Sequence, residues 1–326
     1  MDTQGHGQGR GDVLVEVDGL TKRFGAQVAV DDVSFSLRAG TVTGFLGPNG
    51  AGKSTTMRMM VGLTAPSSGE SRILGRRYHD LDRPATVVGS IVDGVDHNPS
   101  RRAIDELRIS AAAIGVPDAR CHELLTLVGL AGAETKRVGQ FSLGMRQRLG
   151  IAQALLGDPR VLLLDEPANG LDPEGITWVR DFLRRLAGEG RAVLVSSHLL
   201  GEVARLADDV IVIDHGRIVA SGSVEEFTAR ASTGATVVVR SEDDAALESA
   251  VTAALAGVDD AHVERTAEGL RVTGLDAAAV GRVARDDGVA LVELRTSGAG
   301  LEEVFLTLTG NGDGNQNGDS MREVSA

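Results

Sequence analysis

The stretch GPNGAGKST, from Gly47 to Thr55, decides the fold of this chain. It follows the short apolar run TVTGFLG and fits the pattern G-x-x-x-x-G-K-[ST], which requires a strand before it. Glycines let the backbone amides turn inward around phosphate oxygens, Lys53 supplies a point charge to the outer phosphates, and Ser54 can coordinate Mg²⁺. The sequence therefore predicts a nucleotide-phosphate loop, whose residues are Gly47, Pro48, Asn49, Gly50, Ala51, Gly52, Lys53, Ser54 and Thr55.

A second apolar run, VLLLDEP, ends in the adjacent carboxylates Asp165 and Glu166. Four apolar residues predict a buried strand that carries both carboxylates to its C-terminal end, beside the phosphate loop. Asp165 would hold Mg²⁺, directly or through water, and Glu166 would polarise an attacking water. The run AVLVSSH places His198 just past another buried strand, where we predict contact with the γ-phosphate. Because the chain has no Asn-Lys-x-Asp motif for guanine, GTPase action is disfavoured.

Strand and helix patterns alternate around these motifs. The stretches VLVEVDGL and VAVDDVSFSL alternate apolar and polar residues, which predicts half-buried antiparallel strands. Further along, VLLLDEP, AVLVSSH and VIVIDHGRIVASG are apolar runs separated by helical segments. Two more helices are predicted in SRRAIDELRISAAAIG and in residues 118–130. The order of elements indicates an α/β fold with a parallel sheet at its centre.

Composition limits the kinds of partner and the compartment. The 326 residues carry a net charge of −13, and residues 241–326 hold 17 Asp and Glu against 6 Arg. This acidic C-terminal segment argues against nucleic-acid binding, which needs phosphate neutralisation. The single cysteine, Cys121, excludes an intramolecular disulfide and suits a reducing cytoplasm. No apolar run approaches the roughly 18 residues that a membrane span needs.

The domain boundaries follow from shifts in composition and pattern. Residues 1–12 and 310–326 are polar and glycine-rich, which predicts disorder. From about Ala231 the order strand, helix, strand, helix, strand, helix predicts a small α+β domain that has neither a phosphate loop nor a catalytic cluster. We therefore expect a nucleotide-binding domain over 13–230 and a second, α+β domain over 231–309; the family resemblance given next implies that these are an ATP-binding domain and an accessory domain.

These motifs resemble those of the ATP-binding-cassette superfamily, and most of all the single-cassette ATPases of drug and bacitracin- or lantibiotic-type export systems. The resemblance covers residues 13 to about 225, and more weakly the C-terminal unit. It implies a P-loop NTPase cassette with a central, mostly parallel sheet, an antiparallel β subdomain and an α-helical subdomain. The stretch FSLGM, Phe141 to Met145, is similar to the family's signature loop, usually Leu-Ser-Gly-Gly-Gln, with Leu143 replacing a Gly and Met145 replacing the Gln.

The resemblance implies roles for further residues. Ser142 and Gly144 are retained in the signature loop, which in the family faces the γ-phosphate held by the other subunit. Phe24 in LTKRFG matches the aromatic that stacks on adenine, with a core Phe as the alternative. Asp172 in NGLDP matches the loop that crosses the dimer seam. Asp93 in GSIVDG stands where most cassettes have Gln, which implies a contact with Mg²⁺ or water.

The function implied is that of an export ATPase subunit that hydrolyses ATP with Mg²⁺. Its expected partners are a separately encoded integral membrane permease, which would dock near residues 94–110, and a second cassette chain, expected to be a copy of this one. The expected location is cytoplasmic, peripheral on the inner face of the cell membrane. A soluble cassette ATPase acting on ribosomes or DNA is the alternative. It is disfavoured because the chain has one cassette, and because Lys53 and Ser142 are only 89 positions apart, without a heptad run or a cysteine cluster between them. A non-hydrolysing regulatory cassette is disfavoured because Lys53, Glu166 and His198 are intact.

Overall fold

The computed structural model describes residues 11–94, 96–233, 236–256, 261–266 and 269–297. These residues form two compact units, divided between Glu226 and Phe227. Residues 1–10 and the tail from residue 310, for which the sequence predicts disorder, lie outside the described part, and so does the last predicted helix, after residue 300. Of the helices in the described part, none is both long enough and apolar enough to cross a membrane.

The first unit consists of two sheets and their flanking helices. Its strands are β1 (Val13–Phe24), β2 (Gln27–Arg38), β3 (Val42–Leu46), β4 (Ser68–Ile73), β5 (Val88–Ile91), β6 (Val161–Leu164), β7 (Ala192–Ser197), β8 (Asp209–Asp214) and β9 (Arg217–Ser223). Its helices are α1 (Lys53–Met60), α2 (Ala103–Ile114), α3 (Asp118–Leu127), α4 (Leu143–Ala154), α5 (Pro173–Gly188), α6 (Leu200–Leu206) and α7 (Val224–Thr233), inside which the unit boundary falls.

Six strands form one sheet in the order β5-β6-β7-β3-β8-β9. All neighbouring pairs are parallel except β8 and β9. Every residue of β3, β6 and β7 is buried, as expected for parallel strands that are covered on both faces. This burial explains the uninterrupted apolar runs in the sequence, and the predicted parallel sheet is confirmed. The carboxyl ends of these strands meet at one edge, where ligands bind in such sheets.

The strands β2, β1 and β4 form a separate antiparallel sheet. In β1, Val15 and Val17 are buried, whereas Glu16 and Asp18 are exposed. The alternation therefore sorts apolar and polar side chains to opposite faces, and the predicted antiparallel pair is confirmed. The predicted helices also form: α2 contacts both α3 and α4, which gives the first unit a helical layer.

The second unit is a four-stranded antiparallel sheet with two helices among its described residues. Its elements are β10 (Thr236–Ser241), α8 (Asp244–Ala254), β11 (His262–Thr266), β12 (Gly269–Thr273), α9 (Ala277–Asp286) and β13 (Leu291–Ser297), with sheet order β11-β12-β10-β13. Val237 and Val239 of β10 are buried with Leu247 of α8 and Val280 of α9. One prediction was wrong, because the stretch HVERTAEGLRVTG forms two paired strands and not one. Gly269 has a φ of 124°, a conformation that other residues rarely adopt, and it opens the returning strand.

Candidate active site

The phosphate-binding loop connects β3 to α1 and packs tightly against its neighbours. A Cβ atom added to Gly47 would lie 2.3 Å from the carbonyl oxygen of Ile213. Gly52, the N-cap residue of α1, has a φ of 109°, and a Cβ there would lie 2.7 Å from the carbonyl oxygen of Ala29. Only glycine fits at both positions. Since Gly52 has no side chain to cap α1, the first amides of this helix remain available to an anion.

Lys53 is buried beside the loop that it follows. Its Nζ donates hydrogen bonds to the carbonyl oxygens of Gly47, at 2.6 Å, and Pro48, at 3.2 Å, and lies 3.7 Å from Oε1 of Glu166. Burial lowers the pKa of Lys53 below its ordinary value, and the charges of Glu166 and Asp165 oppose that shift. A phosphate at the loop would add negative charge next to the ammonium group and would favour its protonated form.

Two adjacent carboxylate residues follow β6, and Ser196 of the neighbouring strand β7 hydrogen-bonds the side chain of the first and the backbone of the second. The Ser196 hydroxyl donates a short hydrogen bond to Oδ1 of Asp165, which is buried, and accepts one from the Glu166 amide at 2.9 Å. The Asp165 amide donates to the carbonyl oxygen of Ile91 at 2.8 Å. Glu166 has a φ of 49°, a left-handed conformation that is uncommon outside glycine and concentrates at functional sites. The Asp165 carboxylate and the backbone of Glu166 are therefore held in place.

His198 contacts the Glu166 carboxylate, which also contacts Lys53. Its Nδ1 lies 3.1 Å and 3.0 Å from the two carboxylate oxygens of Glu166. Because carboxylate oxygens only accept, this contact requires a proton on Nδ1. The structure thus brings together the three residues for which the sequence predicts catalysis.

A cavity of about 340 Å³ next to the carboxylates contains the predicted metal ligands. Its lining residues include Ser54, Asp93, Asp165 and Glu166. No cluster of three or more His, Cys, Asp or Glu in the described part could hold a metal by itself. Ser54 and Asp165 offer the hard oxygen donors that suit Mg²⁺, which is usually bound by one or two carboxylates together with substrate phosphates. The carboxylate of Asp93, in contrast, is already paired with Arg58 of α1.

Phe24 lies at the end of β1 and is 52% exposed, which excludes the alternative of a core Phe. The Nζ of Lys22 lies 4.9 Å from the centroid of its ring. The strand β2 begins three residues later and carries Ala29, the residue that faces Gly52 of the phosphate loop. An exposed ring in this position is available for stacking, as predicted for adenine.

Ser142, Gly144 and Met145 of the signature stretch line a second cavity, of about 250 Å³, together with Asp172. Leu143 of the same stretch lines the cavity that contains Ser54 and Asp165. Ser142 is the N-cap of α4, and its hydroxyl accepts a hydrogen bond from the Met145 amide at 3.2 Å. Asp172 is the N-cap of α5, and its Oδ1 accepts from the Gly175 amide at 2.9 Å. Two helix N-termini therefore open onto one cavity, and neither Ser142 nor Gly144 lines the cavity that contains Ser54 and Asp165.

Sequence reasoning missed three contacts at these sites. Ser196 is one of two serines in AVLVSSH, and the only signal for it was a hydroxyl at the end of a strand next to β6. Arg58 pairs with Asp93 from α1, a partnership for which the sequence gave no signal. Arg148 stacks on Trp178, with its guanidinium carbon 4.3 Å from the ring centroid, and joins α4 to α5.

Two family models match the chain. The model for "ABC transporter" matches residues 30–169, and the model for "Domain of unknown function (DUF8746)" matches residues 235–302. The first range contains the phosphate loop, the signature stretch and the two carboxylates. The second range lies within the second structural unit.

Curated relatives and a solved structure agree with this match. The chain is 42% identical over 208 residues to the bacitracin transport ATP-binding protein BcrA of Bacillus licheniformis, which covers 63% of this chain and 68% of that protein. It is 36% identical over 306 residues to the Nod factor export ATP-binding protein I of Ralstonia nicotianae, covering 91% and 94% of the two chains. A solved ATP-binding subunit of an ABC transporter superimposes with a TM-score of 0.60 and 29% identity, over 67% of this chain and 92% of that one.

Proposed function

This chain belongs to the ABC transporter ATP-binding family, among the ATPases of drug, bacitracin and lantibiotic export, and on that premise we propose how its residues hydrolyse ATP to drive a separate permease. The relatives named above serve bacitracin transport and Nod factor export. We infer that this chain likewise serves efflux of a drug, antibiotic or peptide. The alternative of action on ribosomes or DNA receives no support from these relatives.

We assign the phosphates of ATP to the loop Gly47–Thr55 and the charge of Lys53, and the adenine to Phe24. Ser54 and Asp165 would hold Mg²⁺, which when bound neutralises phosphate charge and orients the nucleotide. Glu166 accepts a proton from the attacking water. His198 keeps the Glu166 carboxylate in position through Nδ1 and faces the γ-phosphate.

The proposal also includes two partner proteins and the division of the chain into domains. A second cassette, a copy of this chain, would supply Ser142, Gly144 and Asp172 across a seam that holds two ATP molecules. A separately encoded membrane permease would dock near residues 94–110, which would place the chain at the inner face of the cell membrane. Residues 13–230 would be the ATP-binding domain, and residues 231–309 would be an accessory domain.

The observation that carries the proposal is the contact of Glu166 with both Lys53 and His198, next to the phosphate loop. Glu166→Gln should lower ATP turnover by about a hundredfold or more while ATP stays bound, because the carboxylate acts on water. Lys53→Ala should instead weaken ATP binding by about tenfold or more, since it removes a charged phosphate donor. Turnover and equilibrium binding of a fluorescent ATP analogue measure both effects.

A matched control for this experiment is Glu225→Gln, which removes the same charge from an exposed position on α7. It should leave both turnover and binding at the parent values. Turnover by Glu166→Gln at the parent rate would show that another group activates the water.

A further inference from the structure

Arg58 holds the carboxylate of Asp93 in a bidentate ion pair. Its Nε donates to Oδ2 at 2.8 Å, and its Nη2 lies 2.6 Å from Oδ1. A guanidinium that contacts both carboxylate oxygens fixes the orientation of the carboxylate as well as its charge. Arg58 belongs to α1, the helix that starts at Lys53, and Asp93 follows β5. The pair therefore ties the helix of the phosphate loop to the segment that leaves β5.

The backbone at Asp93 is turned sharply. Asp93 has a φ of 69° and Gly94 a φ of 85°, so two consecutive residues are left-handed. A residue other than glycine adopts this conformation at a cost in energy, and it persists where surrounding interactions hold it. The ion pair with Arg58 is such an interaction, because it holds the side chain of the residue that has the left-handed backbone.

Asp93 lies at the edge of the candidate metal site. It lines the same cavity as Ser54, Asp165 and Glu166. Hydrogen bonding to Asp93 raises the pKa of Arg58 above its ordinary value, and the charge of Asp165 adds to that shift, so Arg58 lies within electrostatic range of both carboxylates. Without Arg58, Asp93 would bring an additional unpaired carboxylate to a cavity where Mg²⁺ favours oxygen ligands.

We propose that Arg58 is a positioning residue that keeps the Asp93 carboxylate out of the coordination shell of Mg²⁺. The metal is then held by Ser54, Asp165 and phosphate oxygens. Arg58 acts through Asp93 and contacts neither the metal nor the nucleotide. This inference rests on the proposed function, because it concerns the metal that accompanies ATP.

The test measures the Mn²⁺ affinity of the ADP-bound protein from the EPR signal of free Mn²⁺, in a cycle of Arg58→Gln, Asp93→Asn and the double variant. Arg58→Gln should bind Mn²⁺ about tenfold more tightly at low salt, the order expected for one freed carboxylate beside a divalent cation. The double variant has the same net charge as the parent and should return to the parent affinity. Arg58→Gln should therefore change the Mn²⁺ affinity less in the Asp93→Asn variant than in the parent protein. Arg58→Lys keeps the positive charge but cannot make the bidentate contact, so its Mn²⁺ affinity should lie between those of the parent and Arg58→Gln.

Three outcomes overturn the proposal. If the double variant binds Mn²⁺ more weakly than the parent, Asp93 is itself a metal ligand. If Arg58→Gln has the same effect with and without Asp93, Arg58 contributes charge alone. Arg108→Gln is the matched control, because Arg108 makes a similar fork with Asp118, at 2.6 Å and 3.0 Å, between α2 and α3. ADP binding without metal is measured first: its absence contradicts the proposed function, whereas normal ADP binding with unchanged Mn²⁺ affinity in Arg58→Gln contradicts only the role of Arg58.

Discussion

His97 is a buried histidine whose ring nitrogens make no hydrogen bond within the described part of the chain. Its side chain is 1% exposed, and its Nδ1 lies 3.8 Å from Oε1 of Glu106, which also pairs with Arg101. Burial lowers the pKa of His97 below its ordinary value. Glu106, the backbone of Arg146 and the charge of Asp96 act in the opposite direction but do not outweigh burial. The folded protein therefore favours the neutral imidazole.

This lowered pKa makes stability depend on pH in a defined direction. The unfolded chain binds the proton of His97 more tightly than the folded chain, so the free energy of unfolding falls as the pH drops below about 6.5, the ordinary value for histidine. His97→Leu should remove this part of the acid sensitivity. At neutral pH the variant should be as stable as the parent or more stable, because an unpaired buried polar group costs about 1–3 kcal/mol. Urea unfolding at about pH 7.5 and about pH 5.5 measures the difference, and an equal loss of stability on acidification in both proteins would contradict the prediction.

At the scale of residues, the sequence predicts contacts within a motif better than contacts between motifs. Lys53 and the Asp165–Glu166 pair were identifiable because each lies in a contiguous pattern beside an apolar strand. The contacts of Ser196 with the Asp165 carboxylate and the Glu166 amide depend on which strand lies next to β6. The ion pair of Arg58 with Asp93 depends on which side of α1 faces the segment after β5. Both are products of tertiary structure, for which a single sequence carries no local signal.

At the scale of elements, the contact between Arg148 and Trp178 joins two helices whose N-termini share a cavity. Arg148 belongs to α4 and Trp178 to α5, and the Trp178 ring stacks on Phe182 with centroids 4.8 Å apart. The sequence gives no sign of the link between α4 and α5, since Arg148 and Trp178 are 30 positions apart. The hairpin of β11 and β12 was also missed, because the stretch HVERTAEGLRVTG contains no Asn, Asp or Pro that would divide one predicted strand from the next.

Arg148→Met should weaken the link between α4 and α5. A cation–π contact at a partly exposed site stabilises by about 0.5–1 kcal/mol, so the free energy of unfolding should fall by that amount. Because Trp178 is the only tryptophan, its emission should also change in the folded state. The control is Arg185→Met, which removes a comparable contact with Phe182, at 4.8 Å, from within α5. Equal effects of the two variants on Trp178 emission would show that Arg148 has no special contact with the ring.

At the scale of the whole molecule, the candidate site is divided between two cavities. Ser54, Asp165 and Glu166 line one, whereas Ser142, Gly144 and Asp172 line the other. The resemblance to ATP-binding cassettes explains this division if the second cavity serves the nucleotide of another chain. Local sequence patterns predicted the strands and helices around each cavity. The assignment of the two cavities to different nucleotides came only from the family resemblance, because no local pattern indicates which chain completes a site.

The division leads to a test with variants of Ser142 and Lys53. If Ser142 only caps α4, Ser142→Ala should cost about 1 kcal/mol of stability and leave turnover nearly unchanged, as expected for a helix cap. If Ser142 contacts the partner's γ-phosphate, the variant should still bind ATP, because Lys53 acts from the other chain. Turnover should then fall by a factor of about ten to a hundred or more, the loss expected for one charge-assisted hydrogen bond. Asp276→Ala, which removes the N-cap of α9 in the second unit, is the matched control for capping alone.

Mixing Ser142→Ala chains with Lys53→Ala chains should then restore part of the activity. In a mixed dimer, one site carries both substitutions, and the other combines an intact Lys53 with an intact Ser142 of the partner chain. If Ser142 acted within its own chain, every site in the mixture would lack one of the two residues and no activity would return. Obligate coupling of the two sites would also prevent recovery, but the mixed chains would still associate in ATP. Size-exclusion chromatography of the mixture with and without ATP therefore separates these two outcomes, because an intact shared site should retain ATP-dependent association even when turnover is blocked.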